Sequence, residues 1–242
     1  VLDRGDVCAG ASGRNAGFVT CGSVEHFSRQ VAHHGERVAL DLWRMSQDNL
    51  TLIEDHLIAD GLDCDYQRRG TYSLAGSPHE LAELHSTAAA LQGHGVRVQV
   101  VDEAHVSASL GAEGFYGGVL YQDDGEVHPV KLVRGILDRS GAKVFPHHQV
   151  RSFRRDGEGF EVLTQHRRFL CDLVILATNG YAPELHPWFV DRIYPTRGQI
   201  LVTEPVAPFM AAPCYCNFVL DYFRQLPDGR VLIGGFRQLD RE

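Results

Sequence analysis

Residues 1–18 read VLDRGDVCAGASGRNAGF, in which an apolar pair, an acid and a glycine-rich turn follow one another. Val1 and Leu2 are typical of the end of a buried strand, and Asp3 stands where that strand would stop. In dinucleotide-binding folds, an acid at the end of the second strand accepts hydrogen bonds from ribose hydroxyls, about 20 residues after a G-x-G-x-x-G turn. That offset would place the turn before Val1. An acid at a strand end is also a common turn residue, so Asp3 alone leaves both interpretations open.

The glycine-rich turn itself, GASGRNAG at residues 10–17, is the stronger signal. Its small residues let the backbone approach a planar or anionic ligand closely, and successive N–H groups there form an anion-binding concavity. Arg14 adds a positive charge and Asn15 an amide. A glycine-rich surface loop without a ligand is the competing interpretation.

Composition limits the function classes. The 242 residues, 44% of them hydrophobic, are enough for one large or two modest domains. A formal charge of -8 argues against nucleic-acid binding, which needs a basic surface. No apolar run is long enough for a transmembrane segment. The six cysteines lack C-x-x-C or zinc-type spacing, so we expect free thiols, a cytoplasmic location and no metal site.

The first half of the chain alternates helical and extended patterns. Residues 25–59 have apolar residues at helical spacing with a break near Gly35, and Ser77–Glu80 is a capping box that opens a helix ending near residues 93–95. A third helix is predicted from Pro129 to Gly141. Short strands are predicted at residues 72–75, 96–101 and 115–121 and within 143–155 and 160–172.

Residues 173–177, LVILA, differ because they are continuously apolar. Such a run is typical of a strand covered on both faces, as in a parallel sheet between helices, although a plain core strand would read the same. Together with a second, mainly antiparallel layer from residues 65–121 and 195–242, this pattern predicts an α/β fold with α+β character in the second layer.

Five segments then occur in a recognisable order: GASGRNAGF (10–18), VHPVKLVRGI (127–136), DLVILATNGYAPEL (172–185), YPTRGQILVTEP (194–205) and LPDGRVLIGG (226–235). They resemble the FAD-dependent oxidoreductases of the D-amino-acid oxidase type. The S-G-R-N-x-G form is most similar to the γ-glutamylputrescine oxidase branch and its glycine and sarcosine oxidase relatives. The resemblance covers nearly the whole chain.

The resemblance implies a domain organisation. A Rossmann-like FAD-binding domain would comprise residues 1–62 and 129–194, and an antiparallel-sheet substrate domain would comprise residues 63–128 and 195–242. The FAD-binding domain would lack its first βα unit, which carries the G-x-G-x-x-G turn. The chain would thus be truncated at both ends, and we expect residues 1–242 alone to bind FAD weakly or not at all and to show no turnover.

The resemblance also implies cofactor contacts. The acid would bind the adenosine ribose, the glycine-rich turn would line the pyrophosphate, ribityl chain and flavin ring, one strand residue would meet the adenine edge, and a turn after LVILA would complete the site. These residues are Asp3, Ala11, Ser12, Arg14, Asn15, Ala16, Gly17, Val150, Ala177, Thr178 and Asn179.

The implied activity is oxidation of the C–N bond of a small amine or amino acid to an imine, with hydride transfer to flavin N5. Tyr222 and Arg224 are the candidate catalytic residues, because an arginine matches a carboxylate with two hydrogen bonds; Arg224 is alternatively a solvated strand residue. Some sarcosine oxidases have a lysine near the LIGG position, where this chain has residues 231–233, VLI. The acceptor is therefore oxygen or an electron carrier. A non-catalytic fragment or subunit of such an enzyme is the alternative from another class.

Overall fold

The computed structural model describes residues 1–23 and 25–236. Its helices include all those predicted, with the break near Gly35, and one that was not predicted, Glu103–Leu110. They are α1 (Phe27–His34), α2 (Glu36–Ile53), which continues as a π-helical turn (Glu54–Ile58), α3 (Pro78–Gly93), α4 (Glu103–Leu110) and α5 (Pro129–Ser140). No helix in the described residues has the length and hydropathy needed to cross a membrane.

The predicted helix boundaries have local causes. Gly35 separates α1 from α2 with a φ of 82°, a conformation that residues with a Cβ avoid. At the start of α3, the Ser77 hydroxyl accepts a hydrogen bond from the Glu80 N–H at 3.1 Å, as predicted. The Glu80 carboxylate caps the Gly76 N–H at 2.9 Å. Helix α5 ends at Gly141, which has a φ of 66°.

The strands form three sheets. The largest has the order β3-β4-β2-β10-β11-β12-β9, and all its pairs are antiparallel except β2 with β10. Strand β1 pairs with β5, and β6, β7 and β8 form an antiparallel meander. The bounds are β1 Phe18–Val19, β2 Thr71–Leu74, β3 Val98–Val101, β4 Gly118–Tyr121, β5 Gly125–Glu126, β6 Val150–Asp156, β7 Gly159–Thr164, β8 Arg168–Cys171, β9 Gln199–Pro205, β10 Cys214–Cys216, β11 Asp221–Gln225 and β12 Arg230–Gly235.

The core covers both faces of the large sheet. On one face, Phe27, Trp43 and Leu84 from α1, α2 and α3 pack with Val119. On the other face, the buried residues of α4 pack with Leu74 of β2. All seven strands of this sheet lie within residues 71–121 and 199–235, although the exact domain boundaries remain a prediction.

The prediction for LVILA was wrong in one respect. Residues 173–177 pair with no strand among those described, and Leu173 and Ile175 are 70% and 81% exposed. An apolar run buried on both faces needs neighbours on both sides, and the described residues do not supply them. The apolar pair at the start does find a partner, because Leu2 forms a parallel bridge with Phe145.

Candidate functional site

The predicted ribose-binding acid lies beside the segment that leads into β6. The Asp3 N–H donates to the Phe145 carbonyl at 3.1 Å, and the His148 N–H donates to the Asp3 carbonyl at 2.7 Å. Val150, the predicted adenine contact, begins β6 two residues later. One Asp3 carboxylate oxygen accepts the Gly5 N–H at 2.9 Å, and the other has no protein donor within the described residues. Asp3 therefore has an acceptor available for a ligand.

The turn after LVILA joins the same region. The Arg4 guanidinium lies over the Tyr181 ring, 4.1 Å from its centroid. Within this turn the Thr178 hydroxyl oxygen is buried without a hydrogen-bond partner, and Asn179 has a φ of 51°. Ala177 is exposed. The structure thus brings together three predicted segments that are far apart in sequence, around residues 3–5, 145–150 and 177–181.

The glycine-rich turn is folded by its own asparagine. The Asn15 amide nitrogen donates to the Ala11 and Ser12 carbonyls at 2.9 and 3.0 Å, and its amide oxygen accepts the Gly17 N–H at 2.9 Å. No hydrogen bond in residues 1–23 and 25–236 uses the backbone N–H of Ala11, Ser12 or Asn15. Several donors of the turn are therefore available to an external acceptor. Arg14 is exposed.

The buried end of this turn packs directly against the rest of the site. Gly17 has a φ of 72°, and a Cβ there would overlap the Val127 carbonyl and lie 3.1 Å from Nη2 of Arg224. The Val127 N–H donates to the Gly17 carbonyl at 2.8 Å. A side chain at position 17 would separate the turn from Arg224, so glycine is required by both conformation and space.

Arg224 is a buried residue, which excludes the alternative of a solvated strand residue. It is 5% exposed. Its Nη1 donates to Glu126 and its Nη2 to the Val127 carbonyl, both at 3.0 Å, while its Nε is buried without a partner. Burial lowers the pKa of the Arg224 guanidinium, and Glu126 opposes that shift. Arg69 also pairs with Glu126, so two guanidinium groups and one carboxylate leave one net positive charge here.

Tyr222 precedes Arg224 by two residues on β11, so both side chains lie on the same face of the sheet. Its ring belongs to an aromatic cluster, which we define as Phe18, Tyr215 and Tyr222. The ring centroids are 4.7 Å apart for Phe18 and Tyr215 and 6.0 Å apart for Phe18 and Tyr222. Gly234 on β12 leaves room for this arrangement, because a Cβ there would lie 2.6 Å from the Tyr222 hydroxyl.

A second feature adjoins this cluster. Tyr215 lines a cavity of about 40 Å³, called here the polar cavity, together with the buried polar residues His26, Thr71, Ser73 and Asp124. The Cys21 N–H donates to the Asp124 carboxylate at 2.9 Å. Burial raises the pKa of the Asp124 carboxyl from its ordinary 3.8 to about 7. Burial also lowers the pKa of His26, which favours the neutral ring.

Sequence reasoning missed the acids of this region. No functional role was predicted for residues 122–126, QDDGE, yet they place Asp124 at the polar cavity and Glu126 against Arg224. The available signal was the concentration of three acids directly after a predicted strand. His26 and Ser73 had no such signal, because their significance depends on burial.

Comparisons with known proteins show the family of the chain. A family described as FAD dependent oxidoreductase matches residues 1–242. The chain is 27% identical to a probable oxidoreductase OrdL of Haemophilus influenzae and 25% identical to the gamma-glutamylputrescine oxidoreductase of Escherichia coli. Each match covers 97% of this chain and 58% of the relative, so the chain spans little more than half the length of these relatives.

The fold is also shared with a solved structure. Glycine oxidase from Geobacillus kaustophilus superposes with a TM-score of 0.75 at 21% identity, over 96% of this chain and 62% of that one. This likeness confirms the predicted α/β fold class. The five ordered motifs and the match over residues 1–242 lead to one conclusion: the chain belongs to the FAD-dependent oxidoreductase family.

Proposed function

We propose that this protein oxidises the C–N bond of a small amine or amino acid to an imine, with FAD as its cofactor. The observation that carries the proposal is the contact of Gly17 with Arg224. Through it, the turn that would hold the cofactor lies directly against the sheet face of Tyr222 and Arg224, where a substrate would bind. The names of the relatives, a gamma-glutamylputrescine oxidoreductase and a glycine oxidase, support a substrate with a C–N bond.

The described residues fit a dinucleotide cofactor. A diphosphate needs N–H donors, and the turn offers those of Ala11, Ser12 and Asn15. A ribose needs an acceptor, which the unpaired Asp3 oxygen supplies. The buried Thr178 hydroxyl has no protein partner and would gain one from a ligand. We propose that these groups hold FAD, together with the other predicted contact residues.

In this proposal the side chains of the protein position the amine and bind a carboxylate of the substrate. FAD supplies the redox chemistry when bound, since it accepts a hydride equivalent from the carbon next to the amine nitrogen. We propose that Tyr222 contacts the substrate and that the net positive charge of Arg224, Arg69 and Glu126 orients a carboxylate. The nitrogen loses a proton as the imine forms, and water then hydrolyses the imine to a carbonyl compound and an amine or ammonia.

The electron acceptor is oxygen or an electron carrier. Residues 231–233 carry no lysine, and Leu232 lies buried opposite Arg224. Comparing oxygen with an artificial acceptor separates an oxidase from a dehydrogenase.

The six cysteines are free, and a cytoplasmic location stays a prediction from their spacing. Weak FAD binding by residues 1–242 alone also stays a prediction.

The test is anaerobic mixing of the FAD-loaded full-length protein, of which residues 1–242 are part, with a panel of small amines and amino acids. We expect at least one compound to bleach the oxidised flavin absorbance and to yield one equivalent of carbonyl product per FAD. Alcohols of the same chain length are the matched control, and we expect them to leave the flavin oxidised. A full-length protein that cannot acquire FAD, or whose bound FAD no amine reduces, would favour the non-catalytic alternative.

A further inference from the structure

The polar cavity contains several buried polar atoms that lack partners. Within the described residues, His26 Nε2, Trp43 Nε1 and Ser73 Oγ have no hydrogen-bond partner. Of these, His26 Nε2 and Ser73 Oγ can accept a hydrogen bond, whereas the Trp43 Nε1–H can only donate one. The three residues are 5%, 6% and 4% exposed, and all of them line the cavity. Buried polar groups are normally paired, because an unpaired one loses its hydration without compensation. Their convergence on one cavity indicates an occupant with hydrogen-bonding groups.

The charge of the cavity selects the kind of occupant. Asp124 is 3% exposed, and no arginine or lysine forms an ion pair with it in the part of the chain that the structure describes. The nearby Arg68 and Arg97 pair instead with Asp123. Glu25 adds a second carboxylate to the lining. A buried carboxylate is stabilised by a cation that also donates hydrogen bonds, whereas an anion would be repelled.

A strained turn adjoins this cavity. Three consecutive residues between β10 and β11, Asn217, Phe218 and Val219, have φ values of 52°, 53° and 66°, and Val219 lines the cavity. A β-branched residue at positive φ is a genuine outlier. The turn is held by Glu80, whose carboxylate accepts the Phe218 N–H at 2.6 Å. Such strain persists where the surroundings fix it, and it concentrates at ligand-binding sites.

The size and position of the cavity define the ligand further. A water molecule needs roughly 10–15 Å³ of such space, so about 40 Å³ holds about three or four groups of that size. An ammonium group with its adjacent methylene fits, and a tetramethylammonium ion does not. Tyr215 is a wall of the cavity and also a member of the aromatic cluster, with its centroid 6.3 Å from that of Tyr222. Only the Tyr215 ring therefore separates a substrate bound at Tyr222 from the cavity.

We propose that the polar cavity is a subsite for a protonated primary amino group, held by Asp124, Ser73 and His26. This inference rests on the proposed function: the substrate is a diamine, or an amine with a second amino group, of which one end is oxidised near Tyr222 and the other end is anchored in the cavity.

Binding of the cation depends on pH in a defined direction. The ammonium ion stabilises the ionised form of Asp124, so binding strengthens as pH rises through about 7. The surrounding groups do not reverse this sign, because His26 is held neutral by burial and the Cys21 thiol has its pKa raised to about 12. The other charged or hydroxyl groups facing this region are Glu25, Arg68, Thr71, Tyr121, Asp123 and Tyr215.

The test uses the fluorescence of Trp43, which lines the cavity. The chain has two tryptophans, so Trp188→Phe isolates the signal. We expect methylammonium, and not tetramethylammonium, to change the fluorescence saturably, with affinity about tenfold higher at pH 8 than at pH 6 because one carboxyl near pKa 7 ionises between them. Asp124→Asn should abolish this pH dependence and weaken binding at least about tenfold. Asp123→Asn, at the neighbouring acid, should leave methylammonium binding in place and move its pH dependence to lower pH, because the Asp123 charge helps to raise the pKa of Asp124.

Two further arms keep the outcome decisive. If Asp124→Asn does not fold, Ser73→Ala removes an unpartnered hydroxyl and should retain the fold while weakening methylammonium binding. A response to both cations alike, or to neither, would overturn the subsite. Equal KM values for a diamine and the monoamine of the same length in flavin reduction would also overturn it while leaving the proposed function intact. Specific methylammonium binding without reduction of FAD by any amine would support the subsite and contradict the proposed function.

Discussion

Replacing Gly17 with alanine is expected to destabilise the protein by about 2–5 kcal/mol. The backbone at position 17 has a φ of 72°, where a residue with a Cβ costs roughly 1–2 kcal/mol more than glycine. The added methyl group would also overlap the Val127 carbonyl and approach Arg224, and overpacking of this kind costs about 1–3 kcal/mol. Both effects act at the junction between the turn and the sheet face, so Gly17→Ala should also weaken FAD binding.

The assay is urea denaturation followed by circular dichroism, with a parallel FAD titration. Gly10→Ala is the matched control, because it lies in the same turn and a Cβ there meets no atom within 4 Å. We expect that control to change the free energy of unfolding by no more than about 0.5 kcal/mol. If Gly17→Ala and Gly10→Ala unfold at the same urea concentration and bind FAD equally, the close packing of the turn on Arg224 is refuted.

Two further perturbations test the buried charges. Arg224→Met should destabilise the protein by about 3 kcal/mol, which is near the lower end for a broken buried ion pair because Arg69 still pairs with Glu126. The control is Arg230→Met at an exposed ion pair, which should cost at most about 1 kcal/mol. Similar losses of unfolding free energy for the two variants in denaturant titrations would contradict this prediction. Asp124 stays protonated in the folded protein up to about pH 7, whereas in the unfolded chain it ionises near pH 4. The free energy of unfolding should therefore fall by about 4 kcal/mol as the pH rises from 4 to 7. The unfolding free energy of Asp124→Asn should lack this fall, and parallel pH profiles for the two proteins would refute the assignment.

Local signals were read correctly from the sequence because their causes are local. The break at Gly35 and the cap at Ser77 each depend on one residue and its immediate neighbours, and both occur as predicted. The antiparallel character of the second layer followed from alternating strands in the same way. The prediction that LVILA is buried was wrong, because Leu173 and Ile175 are exposed. Burial of a strand depends on which elements pack on its two faces, and an apolar run in the sequence does not specify them.

Sequence reasoning named the glycine-rich turn, Tyr222 and Arg224 and missed the acids beside them. The glycine-rich turn has a recognisable composition, and Tyr222 and Arg224 directly precede the family segment at residues 226–235. The partners Glu126 and Asp124 come from a connection whose one sequence signal is its three acids, and that signal does not say which of them are buried. Glu126 contacts Arg224 and Asp124 lines the polar cavity only because β5 and the preceding turn pack against the large sheet. Tertiary packing therefore determines which of the acids are buried.

We propose that the face formed by the glycine-rich turn, Tyr222 and Arg224 positions an amine for oxidation by FAD. The most direct test is anaerobic reduction of the FAD-loaded full-length protein by amines, read as loss of the oxidised flavin absorbance and release of carbonyl product. We expect bleaching by an amine at one product per FAD, with Tyr222→Phe and Gly17→Ala slowing the reduction. A protein that binds FAD tightly, and whose flavin stays oxidised with every amine and amino acid tested, would contradict it.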